Sequence, residues 1–324
     1  MHRKRWNPTI VLFGLVLLLP GSCAVSLGDE GDGRLRKRIE ELEAENRSLR
    51  RILAGIQSAL ASVPKSTIPT PAGPNGVRII VVPGDWGGSQ LTDIRKVCES
   101  AAGTIATQLT DDGFAPILVQ RGKSAPITLF GRGEGNEYIV RLNTGNRAWA
   151  QCGYQFSHEF CHIISNYRDV KNPQMWFEET LCECASMYAV RRMAVEWKTK
   201  PPYSNWKRYS ASLESYASDL VKKHADRKDS IAQFYQANLA EFEKTATNRE
   251  LNSYIASKLL LHFEASPAAW QSLRYLNLGP VEENASLSAY LTGWHDRVPE
   301  QHKPFVRQIA TEFDVELTNA PRSD

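Results

Sequence analysis

A heptad repeat between residues 34 and 60 sets the first limit on how this chain of 324 residues can fold. Two series of residues with a spacing of seven occupy its d and a positions: Leu35, Leu42, Leu49 and Ile56, and Ile39, Asn46, Leu53 and Leu60. Such a stripe favours a helix that pairs with another helix. Asn46 favours a parallel, in-register pair, because a buried amide loses stability unless it faces another amide. We therefore expect a homodimeric coiled-coil stalk through residues 35–60, with a single solvated amphipathic helix as the alternative.

A proline-rich segment separates the heptads from the rest of the chain. Residues 61–76 contain Pro64, Pro69, Pro71 and Pro74 among small polar residues, a composition that keeps a chain extended and buries no core. Hydrophobic residues make up 42% of the whole chain, which is enough for a folded core. We place the folded domain at residues 77–320, after this linker.

Residues 1–24 have the three-part composition of a secretory signal. A basic cluster, Arg3-Lys4-Arg5, precedes an apolar run from Ile10 to Leu19 that is too short for an ordinary transmembrane helix. The residues around Cys23 resemble a bacterial lipoprotein signal, in which that cysteine is lipidated; cleavage after Ala24 and an uncleaved anchor are the alternatives. Each predicts a secreted or cell-envelope domain that contacts membrane only through an N-terminal anchor or lipid.

The charge distribution argues against a nucleic-acid partner. The chain has 39 basic and 36 acidic residues, and the resulting net charge of +3 lies entirely within the first 51 residues. A nucleic-acid binder concentrates Lys and Arg in its folded part, because phosphate neutralisation supplies most of its affinity. The predicted domain is neutral, so its net charge gives no reason to expect a strongly charged substrate.

The residue pattern after the linker predicts an α+β domain with two halves. The first half contains a helix from Leu91 to Leu109 among four strand candidates: Val77–Val82, Ile117–Gln120, Ile127–Phe130 and Tyr138–Leu142. After Asn146 the spacing of apolar residues is helical to the end of the chain. We expect a small mixed sheet with a helix, followed by a mostly helical half.

An H-E-x-x-H motif, His158-Glu159-Phe160-Cys161-His162, lies in a segment of helical character from about Arg147 to Ser165. Residues four apart share a helix face, so both imidazoles can bind one metal ion while Glu159 leans toward water on that ion. Zinc suits such a site because it lowers the pKa of water toward neutrality, and a carboxylate can then carry the proton to a leaving nitrogen. The motif predicts His158 and His162 as zinc ligands and Glu159 as general base and acid.

A second helix offers a further ligand. Its predicted start has Asn172 as the cap and Pro173 at the first helical position, and the acidic residues Glu178, Glu179 and Glu183 follow. A catalytic zinc site has three protein ligands and one open position, so a carboxylate from this helix can complete the set.

The two segments together resemble the gluzincin metallopeptidases, the family of thermolysin and the aminopeptidase and leukotriene-hydrolase branch. Their second helix carries a Glu ligand in a W-x-x-E-G pattern, and residues 176–179, Trp-Phe-Glu-Glu, match it with Glu179 as the ligand. Glu178 points roughly 100° away on the helix and is the less favoured ligand. By the resemblance, Glu183 hydrogen-bonds a ligand imidazole, with an ordinary surface charge as the alternative.

The resemblance, which covers about residues 136–190, implies a zincin-like fold and a zinc-dependent peptidase acting on a protein or peptide. Thr180 stands where the family has Gly. No amine-binding motif precedes the zinc helix, so we expect an endopeptidase. Relatives bind substrate backbone along a sheet edge, and the strand Tyr138–Leu142 is the candidate for that edge.

Peptidases of this kind also need a donor for the oxyanion of the tetrahedral intermediate. Tyr254 resembles the catalytic tyrosine of the aminopeptidase branch, with a packing tyrosine as the alternative. His224, His262 and His295 are weaker candidates.

Five cysteines remain if Cys23 is lipidated or removed. Cys161 belongs to the zinc helix, and Cys182 and Cys184 belong to the Glu helix, so a disulfide between these helices is one expectation. Buried small hydrophobic side chains are the equally weighted alternative.

The sequence therefore predicts a zinc-dependent peptidase of the gluzincin type. The alternative, from a different class, is a catalytically inactive zincin-like binding module displayed on the dimeric stalk. The complete ligand set and Glu159 favour the enzyme, since an inactive site has no physical reason to keep all four residues.

Overall fold

The computed structural model describes residues 37–47, 76–110, 113–280 and 282–318. The chain divides into two compact units, Met1–Ile68 and Pro69–Asp324. The predicted signal with Cys23, and the predicted linker except for its last residue, lie outside the described residues. Nowhere in the described parts of the chain is there a helix with the length and apolarity that a bilayer crossing requires.

In the first unit, residues 37–47 form helix α1, and every one of these side chains is exposed. Ile39 and Leu42, at successive a and d positions, are 53% and 48% exposed. The helix agrees with the heptad pattern over these residues. Pairing of two such helices stays a prediction.

The second unit is α+β and begins with a small mixed sheet, as the sequence predicted. The strands are β1 (Ile79–Val81), β2 (Ile117–Arg121), β3 (Ile127–Thr128) and β4 (Tyr138–Leu142), and helix α2 (Leu91–Ala106) follows β1. The order across the sheet is β1-β2-β4-β3. β1 and β4 both run parallel to β2, whereas β3 pairs antiparallel with β4.

This strand order corrects one expectation. β4 lies inside the sheet, with a neighbour on each side, so it cannot offer a free edge to a substrate backbone. The edge on this side is β3, whose two residues pair with Val140 and Arg141 of β4. The predicted strand Ile127–Phe130 is shorter because Phe130 leaves the ladder and stacks on Tyr167.

The rest of the unit is helical. Its α-helices are α3 (Trp149–Ile164), α4 (Met175–Glu196), α5 (Ser210–Lys222), α6 (Ile231–Lys244), α7 (Arg249–Ala265), α8 (Leu287–Arg297) and α9 (Lys303–Glu312). Short 3-10 helices lie at Ser204–Tyr209, Pro267–Tyr275 and Glu300–His302. Asn172 does not cap α4 as predicted; its side chain accepts a hydrogen bond from the Gln174 amide in the turn before the helix, which starts at Met175.

Helices α3 and α4 pack closely in the core of this unit. At Gly153 of α3, an added Cβ would lie 3.0 Å from the Met193 sulfur of α4, so the absence of a side chain lets the helices approach. Trp176 and Phe177 at the start of α4 are fully buried among aromatic rings, with Trp176 4.4 Å from Phe242 between centroids. This close packing brings the two motif segments together.

Candidate metal centre

The backbone fixes both ends of the helix that carries the H-E-x-x-H motif. Asn146 and Arg147 both have positive φ, and α3 begins at Trp149 directly after them. At the other end Asn166 has a φ of 55° and donates its amide to the carbonyl of Ile163, while the Tyr167 amide donates to the carbonyl of His162. This is a Schellman motif with Asn in the left-handed position. It ends the helix and places Tyr167 beside the second histidine.

The two histidines and Glu179 meet as the sequence predicted. The rings of His158 and His162 lie 5.2 Å apart between centroids on one face of α3. The Glu179 carboxylate of α4 lies across them, with Oε2 3.2 Å from Nε2 of His158 and Oε1 3.8 Å from Nε2 of His162. Ligand atoms of a tetrahedral zinc site with bonds of about 2.0–2.2 Å lie roughly 3.3–3.6 Å apart. The two separations involve different oxygens of Glu179 and lie on either side of that range, so the three groups are close to the spacing that one metal ion requires.

A second carboxylate faces the other nitrogen of each ring. Nδ1 of His158 lies 3.7 Å from Glu183, and Nδ1 of His162 lies 2.7 Å from Glu178. When a metal ion is bound, carboxylates in these positions would hold the proton on Nδ1 and leave the Nε2 lone pairs for the metal. Glu183 thus lies where the resemblance implied, and it also accepts a hydrogen bond from the Tyr154 hydroxyl.

Glu178, which the sequence reasoning considered only as the less favoured ligand, has a different contact at the site. Its Oε1 faces Nδ1 of His162 and accepts from the Ser165 hydroxyl, while Oε2 accepts from the Asn277 side chain at 2.9 Å. Asn277 in turn accepts from Tyr290. The angle of about 100° between neighbouring helix positions argued against Glu178 as a ligand, and the same angle directs it to the back of the imidazole.

Glu159 lies buried beside the histidines, and a side chain of the sheet contacts its carboxylate. The Thr128 hydroxyl, on edge strand β3, lies 2.9 Å from its Oε2 and 3.0 Å from its backbone carbonyl. Thr128 was also missed, because only the fold brings this strand to α3. The short strand therefore sets the orientation of the carboxylate that the sequence predicts as general base.

The cluster is rich in negative charge. Glu159, Glu178, Glu179 and Glu183 are all buried around two imidazoles. Within the described residues, no Lys or Arg side chain forms an ion pair with Glu159, Glu178 or Glu183. Buried carboxylates are costly without compensating charge, and a divalent cation between the Nε2 atoms would supply it.

The same surroundings act on the imidazoles. Burial lowers the pKa of His158, but hydrogen bonds to Glu179 and Glu183 and the charge of Glu159 outweigh it and raise the pKa well above its usual value. Burial likewise opposes protonation of His162, yet the charge of Glu179 and the hydrogen bond to Glu178 raise its pKa to about 9. In the absence of metal, the imidazoles therefore carry protons that a metal ion would have to displace.

Cys182 offers an alternative third ligand. His158, His162 and Cys182 form a group that could hold a metal ion, with ligand atoms all within 4.8 Å of one another. Cys182 is completely buried, and burial and a hydrogen bond with Cys161 raise the pKa of its thiol well above the usual value. Metal binding needs the thiolate, and a bound metal ion itself promotes loss of the thiol proton, so Cys182 stays an alternative to Glu179.

The described cysteines are free thiols. Cys98, Cys152, Cys161, Cys182 and Cys184 are all buried. The disulfide expected between the two site helices is absent from the structure, and Cys161 and Cys182 instead make a thiol contact. These cysteines are therefore the buried small side chains that the alternative prediction expected.

The structure does not bring Tyr254 to the cluster. Its hydroxyl donates to the backbone carbonyl of Asp229 at 2.6 Å, and its ring lies 4.1 Å from that of Phe234 between centroids. These are the contacts of the packing tyrosine that the sequence left as the alternative. The three weaker candidates contact other groups: His224 contacts Ser253, His262 contacts Gln308 and Glu312, and His295 contacts Asp296 and Arg307.

Tyr167 lies at the cluster instead. Its ring centroid is 6.2 Å from that of His162, and its hydroxyl donates to the carbonyl of Leu129. Burial raises the pKa of this hydroxyl to about 12, with Arg132 opposing the shift and Glu159 and Glu178 adding to it. The sequence signal for Tyr167 was its position just after an Asn at the end of the motif helix.

In comparisons with known proteins, no protein-family model, curated protein or solved structure matches the chain significantly.

Proposed function

We propose that this protein is a zinc-dependent peptidase with a zincin-like catalytic domain. The observation that carries the proposal is the Glu179 carboxylate lying across the Nε2 atoms of both H-E-x-x-H histidines, with the motif glutamate buried beside them. His158, His162 and Glu179 would hold the metal, which supplies Lewis acidity and lowers the pKa of water toward neutrality when bound. The signal, the lipid anchor at Cys23 and the extracytoplasmic location remain part of this proposal.

The other catalytic roles belong to residues of the chain. Glu159 takes a proton from the attacking water and delivers it to the leaving nitrogen, and Thr128 keeps its carboxylate in place. Glu178 and Glu183 hold the imidazoles in one tautomer and orientation. Of the groups near the cluster, the Tyr167 hydroxyl is the candidate donor to the oxyanion, and to serve as one it would have to turn away from the Leu129 carbonyl to which it donates in the structure.

The test compares wild type with Glu159→Gln after zinc loading. Both proteins should bind one zinc ion per chain, and only wild type should cleave an unfolded protein substrate, with chelator abolishing the cleavage. Glu159→Gln should lower the cleavage rate by at least about 100-fold, the usual contribution of general base catalysis. Stoichiometric zinc with no cleavage of several substrates by either protein would support the inactive binding module instead.

The third ligand has its own test. Glu179→Ala should lose most zinc affinity, whereas Cys182→Ala should keep it. X-ray absorption of the zinc-loaded protein distinguishes the two because zinc–sulfur bonds are about 2.3 Å and bonds to nitrogen or oxygen about 2.0–2.2 Å. A sulfur shell in wild type that disappears in Cys182→Ala would replace Glu179 as the ligand.

A further inference from the structure

A cleft of about 320 Å³ adjoins the candidate metal centre. Its walls include Phe130, Tyr138 and Tyr167, the two arginines Arg132 and Arg168, and Asn277. Two of these residues contact the cluster: Tyr167 lies against His162, and Asn277 donates to Glu178, which holds the same imidazole. A group bound in this cleft therefore lies near His162, one of the proposed metal ligands.

The charged residues in the walls of this cleft are all cationic. Within the described residues neither Arg132 nor Arg168 forms an ion pair, and no carboxylate lines the cleft. The guanidinium of Arg132 stacks over the ring of Tyr138, 3.2 Å from its centroid. This arrangement occupies the face of the guanidinium, and Nη1 donates to the carbonyl of Asn136 at 3.4 Å, which leaves the other N–H groups for a ligand.

Arg168 is held in place by a different contact. Its Nη2 donates to the carbonyl of Gly279 at 2.6 Å, and its buried Nε has no hydrogen-bond partner among the residues that the structure describes. A buried donor without a partner is destabilising, and a carboxylate is the acceptor that a guanidinium binds best. The two arginines thus have capacity for an anionic ligand that the rest of the structure does not use.

We propose that this cleft binds a carboxylate of the peptide substrate next to the cleaved bond. The inference rests on the proposed peptidase function and assigns it a substrate class. Asn277 in the wall of the cleft contacts Glu178, and that carboxylate disfavours an anion beside it, so the substrate carboxylate binds toward the arginines. It comes either from an acidic side chain or from a free C-terminus, and both have the same recognition chemistry.

Binding to the zinc-loaded Glu159→Gln protein tests the carboxylate itself. The probes are short peptides, blocked at both ends, that differ only by Glu or Gln at each position in turn; a second set of Gln peptides carries a free or an amidated C-terminus. We expect at least about tenfold tighter binding of a carboxylate-bearing peptide in one of the two sets, as for a charged hydrogen bond. The set that shows the preference identifies the source of the carboxylate.

Variants of the two arginines test whether these residues cause the preference for a carboxylate. In the Glu159→Gln background, Arg168→Gln and Arg132→Gln should each reduce the preference to about threefold or less, and Arg168→Lys should retain part of it. Arg192→Gln, an arginine of α4 in another groove, should leave it unchanged. If Arg168→Gln fails to fold because the contact with Gly279 is lost, Arg132→Gln decides, since Arg132 is exposed.

Cleavage rates of the same peptides by the protein with intact Glu159 separate this inference from the proposed function. Zinc-dependent cleavage with no preference for a carboxylate, in rate or binding, would overturn the subsite and leave the peptidase standing. Carboxylate-selective, arginine-dependent binding without cleavage would keep the subsite and remove the peptidase. A preference that survives both arginine substitutions would place the carboxylate elsewhere and refute the assignment.

Discussion

Glu178 and Glu179 are neighbours in the chain, yet they contact opposite sides of the imidazole pair. Glu179 faces both Nε2 atoms, and Glu178 faces Nδ1 of His162. Helix geometry alone separates their roles, because successive side chains differ in direction by roughly 100°. Sequence reasoning identified three side chains that the structure brings together: His158, His162 and Glu179. It missed the contact of Glu178 with His162 and the place of Tyr167, because their partners are defined by packing between α3, α4 and more distant segments.

Glu178→Gln tests this positioning role. The amide would lose the charge that stabilises the Nδ1 proton of His162, so we expect zinc affinity to fall about 10- to 100-fold. Competition with a chromogenic chelator measures it. Glu196→Gln, on the same helix but partly exposed and paired with Arg192, serves as the control, and equal affinities for both variants would remove Glu178 from the site.

Tyr254→Phe tests the tyrosine that the sequence favoured. Loss of its hydrogen bond to the Asp229 carbonyl should lower the free energy of unfolding by about 0.5–1.5 kcal/mol and leave kcat within about twofold of wild type. Urea denaturation and peptide hydrolysis report the two quantities. A large fall in kcat with unchanged stability would instead restore Tyr254 as a catalytic residue.

At the scale of elements, the centre depends on how closely α3 approaches α4. Sequence periodicity predicted the motif helix nearly to its ends, since the ligand face and the apolar face repeat with the same period. It placed the start of α4 too early, because Asn172 closes a turn with Gln174 instead of capping the helix. The sequence pattern could not predict the order of the strands, and it therefore could not predict the contact between Thr128 and Glu159.

Gly153→Leu tests the helix approach. The new side chain would meet the sulfur of Met193, so we expect a loss of about 1–3 kcal/mol in the free energy of unfolding and weaker zinc binding as the helices separate. Gly131→Leu is the matched control, because no atom lies within 4 Å of a Cβ built there. Adding Met193→Ala should recover part of the loss. An unaffected single variant would show that the spacing is not set at this contact.

At the scale of the whole molecule, net charge and local charge lead to different expectations. Outside its N-terminal segment the chain is neutral, and this gave no reason to expect a charged substrate. Folding nevertheless gathers four carboxylates at the metal centre and two arginines in the adjoining cleft. The net charge of the sequence cannot show this separation of acidic from basic groups, because the groups come from residues that lie far apart in the chain.

The heptad repeat gives the prediction for assembly. A chain starting at residue 25 should sediment as a dimer, and one that also lacks residues 25–62 should sediment as a monomer. The reason is that Ile39 and Leu42 are about half exposed in a single α1 helix and would be buried in a pair. Analytical ultracentrifugation at several concentrations measures both, and a monomer in each case would contradict the stalk.

The five buried thiols of the second unit can be used to measure local unfolding of that unit. Each is shielded from solvent, so an alkylating reagent reacts only when the surrounding helices separate, at a rate set by the local free energy of opening. Cys161 and Cys182 lie in the two helices that carry the candidate ligands, whereas Cys98 lies in the helix that follows the first strand. Labelling at these positions therefore distinguishes release of the metal centre from unfolding of the sheet, without any added probe.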